Sequence, residues 1–276
     1  MIATLFIVIC RVAVLRKFLN LFIYQALAKH FRTEDWLFMN YGYDSDALRR
    51  NKIPLSKEEE AHRYHIQLYQ HLCSAVPLDG KDVLEIGSGR GGGAFYMKRY
   101  LKPRSVIGVD YSNNAVALCR KRYNIDGLSF VTGDAEKLAL SDNTFDVVVN
   151  IESSHGYRSM ETFLSEVKRL LKPGGYFLFA DIRGKIYVDY AVLRQQFIGS
   201  GLILLKEEDI TNAVLEAMDA DKERKEELIR RHVPKLLRYM FYEFAGLPGS
   251  FIYDSFRLKD STYHCCVLQK PSHLRE

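Results

Sequence analysis

Four residues, Val83-Leu84-Glu85-Ile86, run straight into Gly87-Ser88-Gly89-Arg90-Gly91-Gly92-Gly93, where five of seven positions are glycine. A short apolar run that ends in glycines reads as a buried strand followed by a tight turn. Gly87, Gly89 and Gly91 let the backbone turn sharply at the strand end and let a ligand approach it closely. Helical spacing then begins, from Phe95 to Leu101. Strand, glycine loop and helix in that order open a doubly wound α/β sheet, which takes ligands at the carboxyl ends of its strands. The stretch also satisfies G-x-G-x-x-G at Gly87, Gly89 and Gly92, which on its own suggests a dinucleotide.

The alternation continues downstream. Val106–Val109 reads as a strand stopped by Asp110, Ala115–Tyr123 as a helix, Leu128–Val131 and Val147–Val149 as strands. Ser159–Leu171 carries Phe163, Leu164, Val167, Leu170 and Leu171 on one helical face, and Lys172-Pro173-Gly174-Gly175 ends it. Tyr176–Ala180 is a fifth strand and Leu202–Leu205 a sixth, with Val188–Ile198 helical between them. Ile210–Ala245 reads as charged helix broken at Pro234, and Thr262–Gln269 as an antiparallel last strand. Before the glycine loop, a polar linker (44–60) precedes a helix from His62 to Val76. The prediction is therefore a mostly parallel seven-stranded sheet with N-terminal helices and a helical lid at about 209–258. A chain of 276 residues with 47% apolar and 26% charged residues can bury such a core.

Acids fall on the expected ligand edge. Asp110 ends the second strand, where a carboxylate can grip two ribose hydroxyls, with Tyr111 beside it. Gly133-Asp134-Ala135 follows the third strand and offers a carboxylate to an adenine amino group. Asn150-Ile151-Glu152 ends the fourth. Each acid could instead cap the helix that follows it. Taken in order, Glu85 with its glycines, Asp110, the Gly133 turn, Asn150 and the Leu171–Gly175 turn resemble the class I S-adenosylmethionine-dependent methyltransferases. The resemblance implies a Rossmann-like fold and S-adenosyl-L-methionine as cofactor, and it decides against the dinucleotide. Glu85 would then support the cofactor's ammonium, Asp110 its ribose and Asp134 its adenine, with Tyr41 along its open side.

Longer stretches carry a closer likeness. Phe38–Tyr43, His65–Tyr69, Gly91–Ala94, Gly133–Glu136, Asn150–His155 and Arg231–Pro234 are similar to the mycobacterial phthiotriolone/phenolphthiotriolone dimycocerosate methyltransferase family. That resemblance runs from about Phe38 to Lys270. It implies one methyltransferase domain (34–276) acting on a hydroxyl of a small apolar or lipid-like acceptor.

An alcohol becomes a good nucleophile only as its proton leaves. His155, five residues past Asn150, is the candidate general base, and Asp181, at the end of the next strand, would fix its tautomer. A spacing of 181 − 155 = 26 resembles the sugar O-methyltransferases of antibiotic pathways. Asp181 could equally cap a helix or pair with Arg183 or a lid lysine. Glu152 matches an acid of sterol C-methyltransferases, so C-methylation of a sterol or isoprenoid is the first alternative. A non-catalytic cofactor-binding scaffold at a membrane is the second. Tyr43 is expected beside Tyr41 on the cofactor's open side, with lid core as the alternative; the aromatics Tyr239, Phe241, Tyr242 and Phe244 could wall an apolar pocket but are expected in helix packing, and Lys222–Arg231 reads as a solvated helix face.

The net charge is 39 − 34 = +5, and Arg11, Arg16, Lys17, Lys29 and Arg32 supply all of it. The remainder is neutral, so nucleic acid is not an expected partner. Residues 1–33 are apolar and basic without a run of membrane-spanning length, and read as a helix lying on a membrane surface or on the protein itself. Five scattered cysteines suggest a reducing compartment, and a cytoplasmic protein, peripheral on an intracellular membrane, is the expectation. No acid, His and Cys set has metal-site spacing, so no metal is expected.

Overall fold

The computed structural model describes residues 36–184 and 187–272. The expected N-terminal helix at 1–33 lies outside the described residues. Among the described residues there are seven strands: β1 (Asp82–Ile86), β2 (Ser105–Asp110), β3 (Leu128–Thr132), β4 (Phe145–Ile151), β5 (Leu171–Gly184), β6 (Ile203–Asp209) and β7 (Ser261–Gln269). They form one sheet in the order β3-β2-β1-β4-β5-β7-β6. The first five pair in parallel, and β7 is antiparallel to both β5 and β6.

Helices α1 (Asp46–Arg50), α2 (Arg63–Cys73), α3 (Gly92–Tyr100), α4 (Asn113–Arg122), α5 (Met160–Leu170), α6 (Tyr190–Gly199), α7 (Thr211–Ala220), α8 (Lys222–His232), α9 (Arg238–Phe244) and α10 (Phe251–Arg257) cover the sheet and its ligand edge. The cause is visible in β4. Val147, Val149 and Ile151 pack into one core layer with residues of α2, α3 and α7, whereas Val148 packs into the other with Phe163, Leu164 and Val167 of α5. Alternate residues of a strand face opposite sides, so an unbroken apolar run needs cover on both. Helix α5 starts where Ser159 Oγ accepts the Thr162 N–H, and it buries Phe163, Leu164, Val167 and Leu170.

Several boundaries differ from the sequence reading. The turn Lys172–Gly175 is drawn into β5 across a register shift between Phe145 and Val147. The expected linker at 44–60 contains α1, begun by Ser45 as its N-cap. The expected helix from 210 to 245 breaks at Asp221 as well as near Pro234, because the helix axis turns at Asp221 (φ −96°, ψ 2°). No described helix is long and apolar enough to cross a membrane.

Candidate active site

The carboxyl ends of β1, β2 and β4 meet at the glycine loop. Gly87 and Ser88 donate their N–H groups to the Val109 carbonyl at 2.8 and 2.9 Å. One carboxylate holds the next turn: Asp110 accepts Gly89 N–H and Ser112 N–H, each at 2.8 Å. Gly87 has φ +80°, and a β-carbon there would stand 2.1 Å from Ser153 Oγ, so only glycine fits. Gly89 is different. A β-carbon on it would touch only Met39 Sδ at 3.5 Å, leaving backbone open to a ligand. Gly91, also left-handed at φ +80°, starts α3.

Beneath the loop Glu85 is 1% exposed. Its Oε1 accepts the Tyr69 hydroxyl at 2.6 Å, and its Oε2 has no partner among the described residues. Burial pushes the Glu85 pKa up to about 8, with the nearby Asp110 charge adding to it. Burial also raises the pKa of Asp110, against the lowering from its two N–H donors. Gly133 N–H donates to the Asp110 carbonyl at 3.0 Å, which fixes the third loop to the second. Asp134 is half-buried at that edge and accepts Glu136 N–H at 3.1 Å, with Ala135 buried beside it. Tyr111 is 44% exposed next to Asp110.

Asn150 serves the scaffold. It is fully buried, and its Nδ2 donates to the Ile86 carbonyl at 2.8 Å and to Tyr157 Oη at 3.0 Å, tying β4 to β1. The segment from Trp36 to Tyr41 crosses the loop. Arg90 lies 4.5 Å from the Trp36 ring centre, and Tyr41 N–H donates to Glu152 Oε1 at 2.7 Å. Tyr43 does not line this edge as expected. It is buried and stacks on His71 at 4.2 Å, because the chain has by then turned onto α2.

His155 and Asp181 meet. Asp181, with no exposed surface, accepts His155 Nδ1–H at 2.7 Å and the His155 backbone N–H at 2.9 Å. Ser154 Oγ donates to it at 2.6 Å, and Arg183 lies 3.2 Å away. Burial opposes ionisation of this carboxyl, but the His155 and Arg183 charges and these donors hold its pKa well below the usual carboxylate range. The His155 contact and the Arg183 pairing, posed as alternatives in the sequence, therefore coexist. Since Asp181 accepts from Nδ1, the imidazole lone pair is on Nε2.

Glu152 sits in the left-handed region at φ +45°, rare for a residue with a side chain. Its Oε1 also accepts the Tyr263 hydroxyl at 2.9 Å. Burial raises its pKa to about 8, against the Tyr41 and Tyr263 donors. Tyr263 was not foreseen. Its place is set by pairing with Ile182, next to Asp181, across β5 and β7.

Beyond Tyr41 lies an apolar cavity walled by Trp36, Phe38, Ile229, Val233, Phe241 and Phe244. Phe241 and Phe244, expected in helix packing, thus line a cavity, while Tyr239 is 67% exposed. The expectation of a solvated face for 222–231 holds for Lys222, Glu223, Glu226 and Glu227 but fails at Lys225, which is buried. Lys225, Leu228, Ile229 and His232 are spaced i, i+3, i+4 and i+7, and that stripe marks the inward face.

Residues 84–179 match the methyltransferase domain family. The chain is 36% identical to the fatty-acid O-methyltransferase of Mycolicibacterium smegmatis, over 91% of this chain and 89% of that one. It belongs to the class I S-adenosylmethionine-dependent methyltransferases. The phthiotriol/phenolphthiotriol dimycocerosates methyltransferase of Mycobacterium tuberculosis is 37% identical to this methyltransferase over 82% of its chain and 83% of the relative. The fold is shared with geranyl diphosphate C-methyltransferase from Streptomyces coelicolor, at a TM-score of 0.65 and 16% identity over 90% of this chain and 98% of that one. The chemistry of the donor set fits the methyltransferase cofactor: a buried carboxylate with an unpartnered oxygen, an open glycine backbone, and acids at the ends of β2 and β3.

Proposed function

We propose that this methyltransferase methylates a hydroxyl oxygen on an apolar, lipid-like acceptor, with His155 as the general base. S-adenosylmethionine supplies an electrophilic methyl carried on a positively charged sulfur. In this reading Glu85 supports its ammonium, directly or through water. Gly87, Gly89 and Gly91 give the close backbone approach, Asp110 grips the ribose, and Asp134 with Gly133 and Ala135 receives the adenine. Tyr41 and Tyr111 flank the crevice, and Asn150 positions the loop from beneath. The segment 36–41 and the helices from 211 to 257 act as a lid that excludes water.

The observation that carries this reading is the His155–Asp181 pair. His155 Nε2 takes the acceptor's proton, and Asp181 keeps the ring in that tautomer and stabilises the imidazolium as it forms. Both relatives named above act on lipids by their names, and the cavity walls of this chain suit such a molecule. A fatty-acid carboxylate would need no base, whereas an alcohol would, so the base is the distinguishing feature.

The C-methylation alternative asks Glu152 to steady a carbocation. A carboxyl with a pKa near 8 is largely neutral at pH 7, which favours the hydroxyl reading. His155→Gln should reduce turnover by about 10²–10⁴-fold while cofactor affinity stays at the wild-type value. Wild-type turnover in that variant from about pH 6 to 9 sinks the general-base role.

A further inference from the structure

Lys225 stands in the first turn of α8 and is 8% exposed. Lys225 lines the apolar cavity, and among the described residues its ammonium makes one hydrogen bond, to the Ala245 carbonyl at 3.2 Å, with the Tyr41 ring centre 5.7 Å away. No carboxylate among the described residues forms an ion pair with it. The nearest acid on its own helix turn, Asp221, is taken by Arg224 through two hydrogen bonds of 2.6 Å. Just past β4, the Glu152 charge, like that of Asp221, raises the Lys225 pKa against burial without forming an ion pair with it. From α2, His65 is 4% exposed in the same cavity with its Nε2 3.8 Å from Asp221 Oδ2, is held neutral by burial and by the Arg224, Lys225 and His62 charges, and has no partner for Nδ1 among the described residues. A buried ammonium with one carbonyl acceptor is costly unless an anion joins it.

We propose that Lys225, with His65 beside it, is the seat for an acidic group on the acceptor, so that the substrate is an amphiphile: an aliphatic body along Ile229, Val233, Phe241 and Phe244, and a carboxylate at Lys225. The inference rests on the reading of this cavity as the acceptor site. It narrows the acceptor from any apolar alcohol to one that also carries a negative charge. Burial lowers the Lys225 pKa to about 8, so an arriving anion should draw a proton onto it under mildly alkaline conditions.

The test titrates dodecanoate and dodecanol, as probes of equal chain length, into the full chain saturated with S-adenosylhomocysteine. At pH 7 dodecanoate should bind about tenfold or more tightly than dodecanol. Lys225→Met should abolish that preference and Lys225→Arg should keep it, both with unchanged S-adenosylhomocysteine affinity. In the wild type at about pH 8.5, calorimetry in buffers of different ionisation enthalpy should register proton uptake with dodecanoate, and the uptake should vanish in Lys225→Met. Equal affinity for the two probes, a preference that survives Lys225→Met, or uptake retained in that variant (which would assign it to Glu152) overturns the inference while the cavity remains the acceptor site. Failure of both probes to bind overturns the cavity reading itself.

Discussion

Replacing Asp181 with asparagine tests the buried pair at the heart of the site. The carboxylate has no exposed surface and faces Arg183, which is 3% exposed. Asparagine preserves the shape but removes the charge, leaving the guanidinium buried with the Ile182 carbonyl and Ser154 Oγ as neutral partners. Breaking one half of a buried pair costs about 3–5 kcal/mol. For a domain of this size that corresponds to a fall in Tm of roughly 6–20 °C. The sign of the pH dependence is fixed by the lowered Asp181 pKa. The carboxylate's contribution is present above its unfolded value of about 3.9 and fades as pH falls toward the folded value, so the stability gap should narrow in acid. Scanning calorimetry from about pH 3 to 8 reads all of this. Asp181→Asn/Arg183→Met should recover part of the loss, since no charge is then stranded. An Asp181→Asn protein within about 1 kcal/mol of wild type at pH 7, with no recovery in the double variant, refutes the reasoning.

Two further outcomes bear on the cofactor edge. Glu85→Gln should weaken S-adenosylmethionine binding in calorimetry. Without the cofactor the same variant should melt higher than wild type at pH 9, because a carboxyl whose folded pKa is raised to about 8 favours folding less and less as pH climbs from its unfolded value toward 8. Asp134→Ala should weaken cofactor binding in calorimetry; unchanged affinity removes the adenine assignment.

The strand ends were readable because parallel strands buried on both faces need largely apolar runs, and Val83–Ile86, Val106–Val109 and Val147–Val149 supply them, ended by glycine, aspartate and asparagine. Asp181 and His155 were legible for the same reason: each follows such a run on the ligand edge. Tyr263 was not, nor was the left-handed backbone of Glu152, because the contact between the two joins residues 111 apart in sequence. Lys225 was misread because it belongs to a charged window, although the spacing to Leu228, Ile229 and His232 pointed inward. Asn150 is read at a strand end, which gives the edge; the two bonds its amide nitrogen makes to the scaffold depend on the fold and are not written in the sequence. Near Lys172–Gly175, turn residues were read correctly as punctuation, but pairing with β4 and β7 draws them into the sheet.

The Asp110 carboxylate clamps Gly89 and Ser112 while standing at the proposed ribose position. Recognition and scaffolding are thus fused in a single side chain. An attempt to retrain the enzyme for a donor with a different sugar would have to move that acid, and moving it sets the glycine turn loose.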